Sequence, residues 1–146
     1  RQVTDIAFHF GAPNKLEYVG RLLRKAVARG ARLTVLAPPA QVQYLDASLW
    51  ATSPTDFLVH AVDDGQAPHA MCPVVLTSRV HGALKNHSVL VNLTTAVPAD
   101  FIQFERVIEV VSVDDDDRAL ARNRWKHYVQ QGYEIQRHDL KLKGAE

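Results

Sequence analysis

The stretch "DDDDRALARNRWKHYVQQGY", residues 114–133, carries Arg118, Arg122 and Lys126 at intervals of four, with Trp125 among them. These side chains suit docking more than bond-making. Arg grips a carboxylate with two parallel hydrogen bonds, and Lys supplies a point charge. Counted from Arg118 at about 100° per helical residue, Val129 falls at about 20°, Arg122 at about 40°, Lys126 at about 80° and Trp125 at about 340°. They share one face. Leu120, Ala121 and Tyr128 lie elsewhere on the wheel and are expected to anchor the helix to the core, on a face that Arg124 and His127 dilute. A basic helical face alone is most often simply solvated. The indole on that face is not needed for core burial, so the pattern points to a short acidic peptide with an aromatic anchor. Phosphate contact is the competing reading. Four adjacent acids would repel a long polyanion, and one helical face offers few phosphate contacts.

Linear signatures of catalysis are missing. The turn after the first expected strand reads "FGAPNKLE", with one Gly where a dinucleotide site needs GxGxxG. The chain has no GxxxxGK[ST], no GxSxG and no CxxC. His69 and Cys72 make one pair, not a metal set. His81 and His87 read as loop residues, and His9 as a packed or solvated strand residue. Asp63-Asp64-Gly65 reads as a turn. No catalytic residue, metal ligand or cofactor is therefore assigned. The alternative is a small α/β enzyme or nucleotide-binding domain whose pocket has no linear motif.

The elements that position the basic stripe follow from periodicity. Residues 3–10 alternate Ile6, Phe8 and Phe10 as a strand ending at Gly11. Leu16, Val19, Leu22, Leu23, Ala26 and Val27 recur at helical spacing, and Gly30 stops that helix. A second strand over 31–39 ends at a Pro pair, and a second helix over 40–52 has Val42, Leu45, Leu49 and Trp50 on one stripe. Residues 53–73 are mostly connection. Further strands are expected at 74–79, 88–94 and 106–113, the middle one a continuous apolar run of the buried parallel kind. A short helix opens at Pro98. Asp114 to Asp117 sit at the start of the last helix, where carboxylates complement the dipole. Gly132 stops it near Gln131, and an edge strand with a frayed tail over about 138–146 ends the chain. The β-α-β-α order argues for a layered α/β domain with a mainly parallel sheet flanked by helices.

Composition agrees with that reading. The 146 residues are 47% hydrophobic and 23% charged, typical of one globular domain over 1–146. Net charge is +1, so no global field recruits nucleic acid or membrane. One cysteine, Cys72, excludes a disulfide within the chain and fits a reducing cytoplasm. No apolar run is long enough to span a membrane, and the first residues lack the apolar core of a signal peptide. The chain starts without Met, so its start is expected to be processed or trimmed.

Four segments in combination resemble one family: "LDASLWATSPTDFLVH" (45–60), "VLVNLTTAVPADF" (89–101), "RVIEVV" (106–111) and "RALARNRWKHYVQQGY" (118–133). They are similar to the chi subunit of bacterial DNA polymerase III, and the likeness spreads over nearly the whole chain. The resemblance implies a Rossmann-like three-layer fold with no nucleotide site and no catalysis. It implies an accessory role in the clamp-loader assembly, with two partners: the acidic C-terminal tail of single-stranded DNA-binding protein, and the psi subunit. Carried over, Arg122 and Lys126 are the primary tail-binding charges. Trp125 takes an aromatic position where members often have Tyr, and lines the pocket for the tail's terminal Phe. Arg118 is a further basic position and Val111 a pocket residue. The psi interface falls on Trp50 and Phe57, for which the residues alone suggest core packing. An accessory helicase is a further candidate partner, and whether it competes for that face is left open by the sequence. Nucleic acid is reached mainly through the coating protein, and the chain is expected as a monomer or heterodimer.

Overall fold

The computed structural model describes residues 4–51, 61–62, 74–78, 88–98 and 101–139. Strand β1 (Asp5–Ala12) leads into helix α1 (Lys15–Ala28), then β2 (Leu33–Leu36) and α2 (Pro39–Ala51). Strands β3 (Ala61–Val62), β4 (Val74–Thr77), β5 (Val89–Asn92) and β6 (Arg106–Ser112) follow, with a 3-10 turn at Phe101–Gln103 before β6. Helix α3 (Asp115–Gln130) and strand β7 (Ile135–Asp139) complete the order.

The seven strands form one sheet in the order β3-β4-β2-β5-β6-β1-β7, and every pairing is parallel. The residue types explain who sits inside. β2 (LTVL) and β4 (VVLT) are buried at every position, as strands covered on both faces must be. β7 is half exposed because it is an edge.

Two cores lie on opposite faces of the sheet. Val19 and Leu23 of α1 and Val42 and Leu45 of α2 pack with Val35, Leu76 and Val91 on one side. On the other side, Ala121 and Tyr128 of α3 pack with Phe8, Phe101, Phe104 and Val107. The result is the expected three-layer α/β arrangement. Helix α1 starts where the Asn14 side chain accepts the Glu17 N–H at 3.1 Å, a standard N-cap. Helix α2 bears out Val42 and Leu45 as its buried stripe; the side chains of Leu49 and Trp50 lie outside the described residues.

Two boundaries differ from expectation. β1 does not end at Gly11. His9 pairs with Val110 and Ala12 with Ser112, so β1 carries one extra residue there, and Gly11 takes φ 86° to form the bulge. Strand pairing also continues through His138 and Asp139, two residues into the segment expected to fray, because β1 continues beside them. Residues 140–146 lie outside the described residues.

Candidate functional site

Helix α3 is fixed at its start by a serine and an aspartate. The Ser112 N–H donates to Asp117 Oδ2 at 2.8 Å, and Ser112 Oγ accepts the Asp114 N–H at 3.2 Å. Asp114 holds the N-cap position, but its side chain makes no cap bond. Asp117 reaches back instead, and Lys15 at the start of α1 meets it at 3.3 Å. Burial alone would raise the Asp117 carboxyl, but the Ser112 N–H and the Lys15 ammonium outweigh it and hold it below the usual carboxylate range. The acidic run is therefore part dipole complement and part tether between two helices.

The middle of α3 is fixed by a buried charge. Glu109 of β6 and Arg124 of α3 are 0% and 2% exposed. Arg124 Nε donates to Glu109 Oε1 at 2.9 Å, and the Tyr128 hydroxyl donates to Oε2 at 2.7 Å. Asn92 Nδ2 lies 3.0 Å from both carboxylate oxygens. Burial pushes the Glu109 carboxyl up, while Arg124 and the hydrogen bonds from Asn92 and Tyr128 pull against it. The same burial, with Glu109 beside it, pushes the Tyr128 hydroxyl up strongly. Three donors around two oxygens is the arrangement a buried anion needs.

That grip sets the rotation of the helix. Ala121, Arg124 and Tyr128 face the sheet, and Arg118, Arg122, Lys126 and Val129 face outward. Leu120 was expected as an anchor, but it is 38% exposed. The buried face is centred near Tyr128, about 80° from Leu120 on the wheel. Arg124 takes the inward place, since its partner lies directly beneath.

Above this face opens a cleft of about 510 Å³ at the C-terminal ends of β1, β6 and β7. The carboxyl ends of parallel strands are where α/β folds commonly bind ligands. Arg118, Arg122 and Lys126 line the helix side, with Trp125 between them. Phe10 and the bulge at Gly11 contribute from β1, and Ser112 and Val113 from the turn after β6. Arg137 and Asp139 of β7 form the opposite wall.

Trp125 is half-buried, not outward. Its ring centroid lies 5.0 Å from that of Phe8 and 6.0 Å from that of Phe10, so it seals the second core and floors the cleft together. Arg118 lies 3.8 Å from Asp115, an exposed pair one turn apart. Among the described residues neither Arg122 nor Lys126 has an ion-pair partner. Val111, expected in the pocket, is 0% exposed and belongs to the core under α3. It is covered by α3, and Val113, just past the end of β6, lines the cleft instead. The Trp50 side chain and Phe57 both lie outside the described residues. Sequence reading missed Phe10, Arg137 and Asp139. Their two-residue spacing marks them as sharing strand faces, but nothing local says that β7 lies beside β1.

A family model described as DNA polymerase III chi subunit, HolC, matches residues 3–136. This chain belongs to the DNA polymerase III chi subunit family. The DNA polymerase III subunit chi of Pseudomonas aeruginosa is 32% identical over 130 residues, covering 86% of this chain and 87% of that protein. The subunit of the same name from Escherichia coli is 29% identical over 108 residues, covering 73% and 72%. That of Haemophilus influenzae is 28% identical over 96 residues, covering 66% of each. The matched family span holds β1 and all of α3, while Arg137 and Asp139 fall just beyond it. Among the described residues no helix is long and apolar enough to cross a membrane, and no group of three His, Cys, Asp or Glu could hold a metal ion.

Proposed function

We propose that this protein is a non-catalytic accessory subunit of the bacterial DNA polymerase III holoenzyme, acting in cytoplasmic DNA replication within the clamp-loader assembly. Its cleft binds the acidic C-terminal tail of single-stranded DNA-binding protein. Arg122 and Lys126 take the tail's carboxylates, Arg118 adds a peripheral charge, and Trp125 packs on the tail's terminal Phe. The observation that carries the reading is the pair of exposed cations, without ion-pair partners among the described residues, flanking a half-buried indole in an open cleft. A mixed apolar and cationic cleft fits a short acidic peptide better than a bare polyphosphate. The psi subunit contacts Trp50 and Phe57, an assignment that rests on the family resemblance.

Titration calorimetry with a tail peptide ending in Phe tests the site. Arg122→Ala or Lys126→Glu is expected to weaken binding by roughly 2 kcal/mol, about thirtyfold. Unchanged affinity in both folded variants would reject the site. A pull-down with full-length and tail-deleted single-stranded DNA-binding protein then asks whether the tail is required.

A further inference from the structure

Helix α1 and the turn after it hold a second concentration of positive charge, away from the cleft. Residues 15–32 carry six of the 17 Lys and Arg but only one of the 16 Asp and Glu. Counted from Arg21 at about 100° per residue, Lys25 falls at about 40° and Arg29 at about 80°, while the buried Val19 and Leu23 fall at about 160° and 200°. Arg21, Lys25 and Arg29 therefore share the outward face, and all three are exposed. Arg24 stands at its flank, partly buried, with Nη1 donating to the Gly20 carbonyl at 3.5 Å. The helix dipole favours cations at the carboxyl end, which accounts for Lys25 and Arg29 but not for Arg21 in the middle. Among the described residues Lys25 and Arg29 have no ion-pair partner. Arg21 meets Glu17 at 3.2 Å, but both side chains are exposed, and such a pair is weak. Lys15 is already tied to Asp117, so the row begins at Arg21.

From Arg21 to Arg29 the row runs about 12 Å along the helix. What it lacks decides the partner. None of the exposed large apolar side chains among the described residues lies on α1, so the face offers no seat for the aromatic anchor of a peptide. Cations without an apolar seat suit phosphates, which bind through charge and counterion release. A stiff duplex meets a convex helix at few points, whereas a single strand bends along the row. We infer that the outward face of α1 binds the sugar-phosphate backbone of single-stranded DNA, weakly and without base preference. Val19 and Leu23 belong to one core and Ala121 and Tyr128 to the other, so α1 and the cleft-lining α3 lie in opposite layers. A strand on α1 leaves the cleft open, and the inference does not depend on what the cleft binds.

Fluorescence anisotropy with a labelled oligothymidylate of about 20 nucleotides at about 0.05 M salt tests it. Two triple variants remove the same charge. One joins Arg21→Gln, Lys25→Gln and Arg29→Gln on α1, and the other joins Arg118→Gln, Arg122→Gln and Lys126→Gln on α3. The α1 triple is expected to weaken DNA binding at least about tenfold, and to make the slope of log affinity against log salt shallower by about 2, from three contacts at about 0.7 each. The α3 triple should lose less than about threefold. Equal losses would make net charge the cause and overturn the inference, as would a larger loss in the α3 triple. Wild-type protein that binds no oligonucleotide at that salt, or binds a duplex of equal length as tightly, also overturns it. Gln keeps the helix well formed, and thermal unfolding reports whether each triple is folded. Should the α1 triple fail to fold, Lys25→Gln alone is expected to shallow the slope by about 0.7, and an unchanged slope overturns the inference.

Discussion

At the scale of single residues, Glu109 and Arg124 decide most. Each would be intolerable alone at 0% and 2% exposure, and together with Tyr128 and Asn92 they make a hydrogen-bonded polar cluster. Removing one partner leaves the other charged and buried. Arg124→Ala is therefore expected to destabilise the fold by about 3–5 kcal/mol, measured by urea denaturation. The double change Glu109→Leu with Arg124→Met should cost clearly less than the sum of the two single changes. Additive losses would mean that the pair is not coupled. Half of this cluster was legible in the sequence. Arg124 fell on the core-facing side of the wheel, and Glu109 interrupts the apolar run "RVIEVV". Two charges that each look misplaced in a buried stripe imply one another, but they stand 15 residues apart and only the β6–α3 packing joins them. Trp125 was misread as wholly outward because the wheel places it at the boundary of the buried face, where Phe8 and Phe10 reach it from a strand distant in sequence.

At the scale of elements, α3 is held at both ends by means with different pH behaviour. Asp117 joins the Ser112 N–H and Lys15, and Asp117→Ala is expected to cost about 1–2 kcal/mol near neutral pH. Its folded carboxyl is held below the usual range, so its contribution is present above the ordinary carboxylate pKa. That contribution is lost as pH falls through the lowered folded value. Wild type and Asp117→Ala should therefore converge in stability once pH falls below that lowered value, read from denaturation curves at stepped pH. A gap that widens in acid would contradict the assignment. At the other end Gly132 has φ 89°, and a Cβ there would meet nothing within 4 Å. Gly132→Ala should cost only the backbone conformational term, about 1 kcal/mol, with no change in peptide affinity. Both stops, Gly30 and Gly132, were legible because glycine past an apolar periodic run carries a definite backbone meaning. The bulge at Gly11 was not, since a strand that continues past a glycine looks locally like one that ends there.

At the scale of the whole molecule, parallel pairing was legible from the β-α order and the all-apolar strands, whereas the lateral order of the sheet was not. Strand β7 lies beside β1, although β1 opens the sequence and β7 comes last. That one neighbour relation brings Arg137 to the helical cations and builds the cleft. It also explains how a chain of net charge +1 presents a strongly positive site: the charge is concentrated locally instead of summed over the surface. Salt should separate the two kinds of electrostatics in this protein. Exposed charges are screened beyond about 10 Å at 0.1 M ionic strength, and buried pairs much less. Raising salt from about 0.05 M to about 0.5 M is therefore expected to weaken acidic-peptide binding at least tenfold, mostly through slower association. The unfolding free energy should move far less, because the Glu109–Arg124 pair sits out of reach of mobile ions. Parallel calorimetry and urea titrations across that range give both quantities. Peptide affinity that ignored salt would place the binding energy in Trp125 and Phe10 alone and would remove the helical cations from the mechanism.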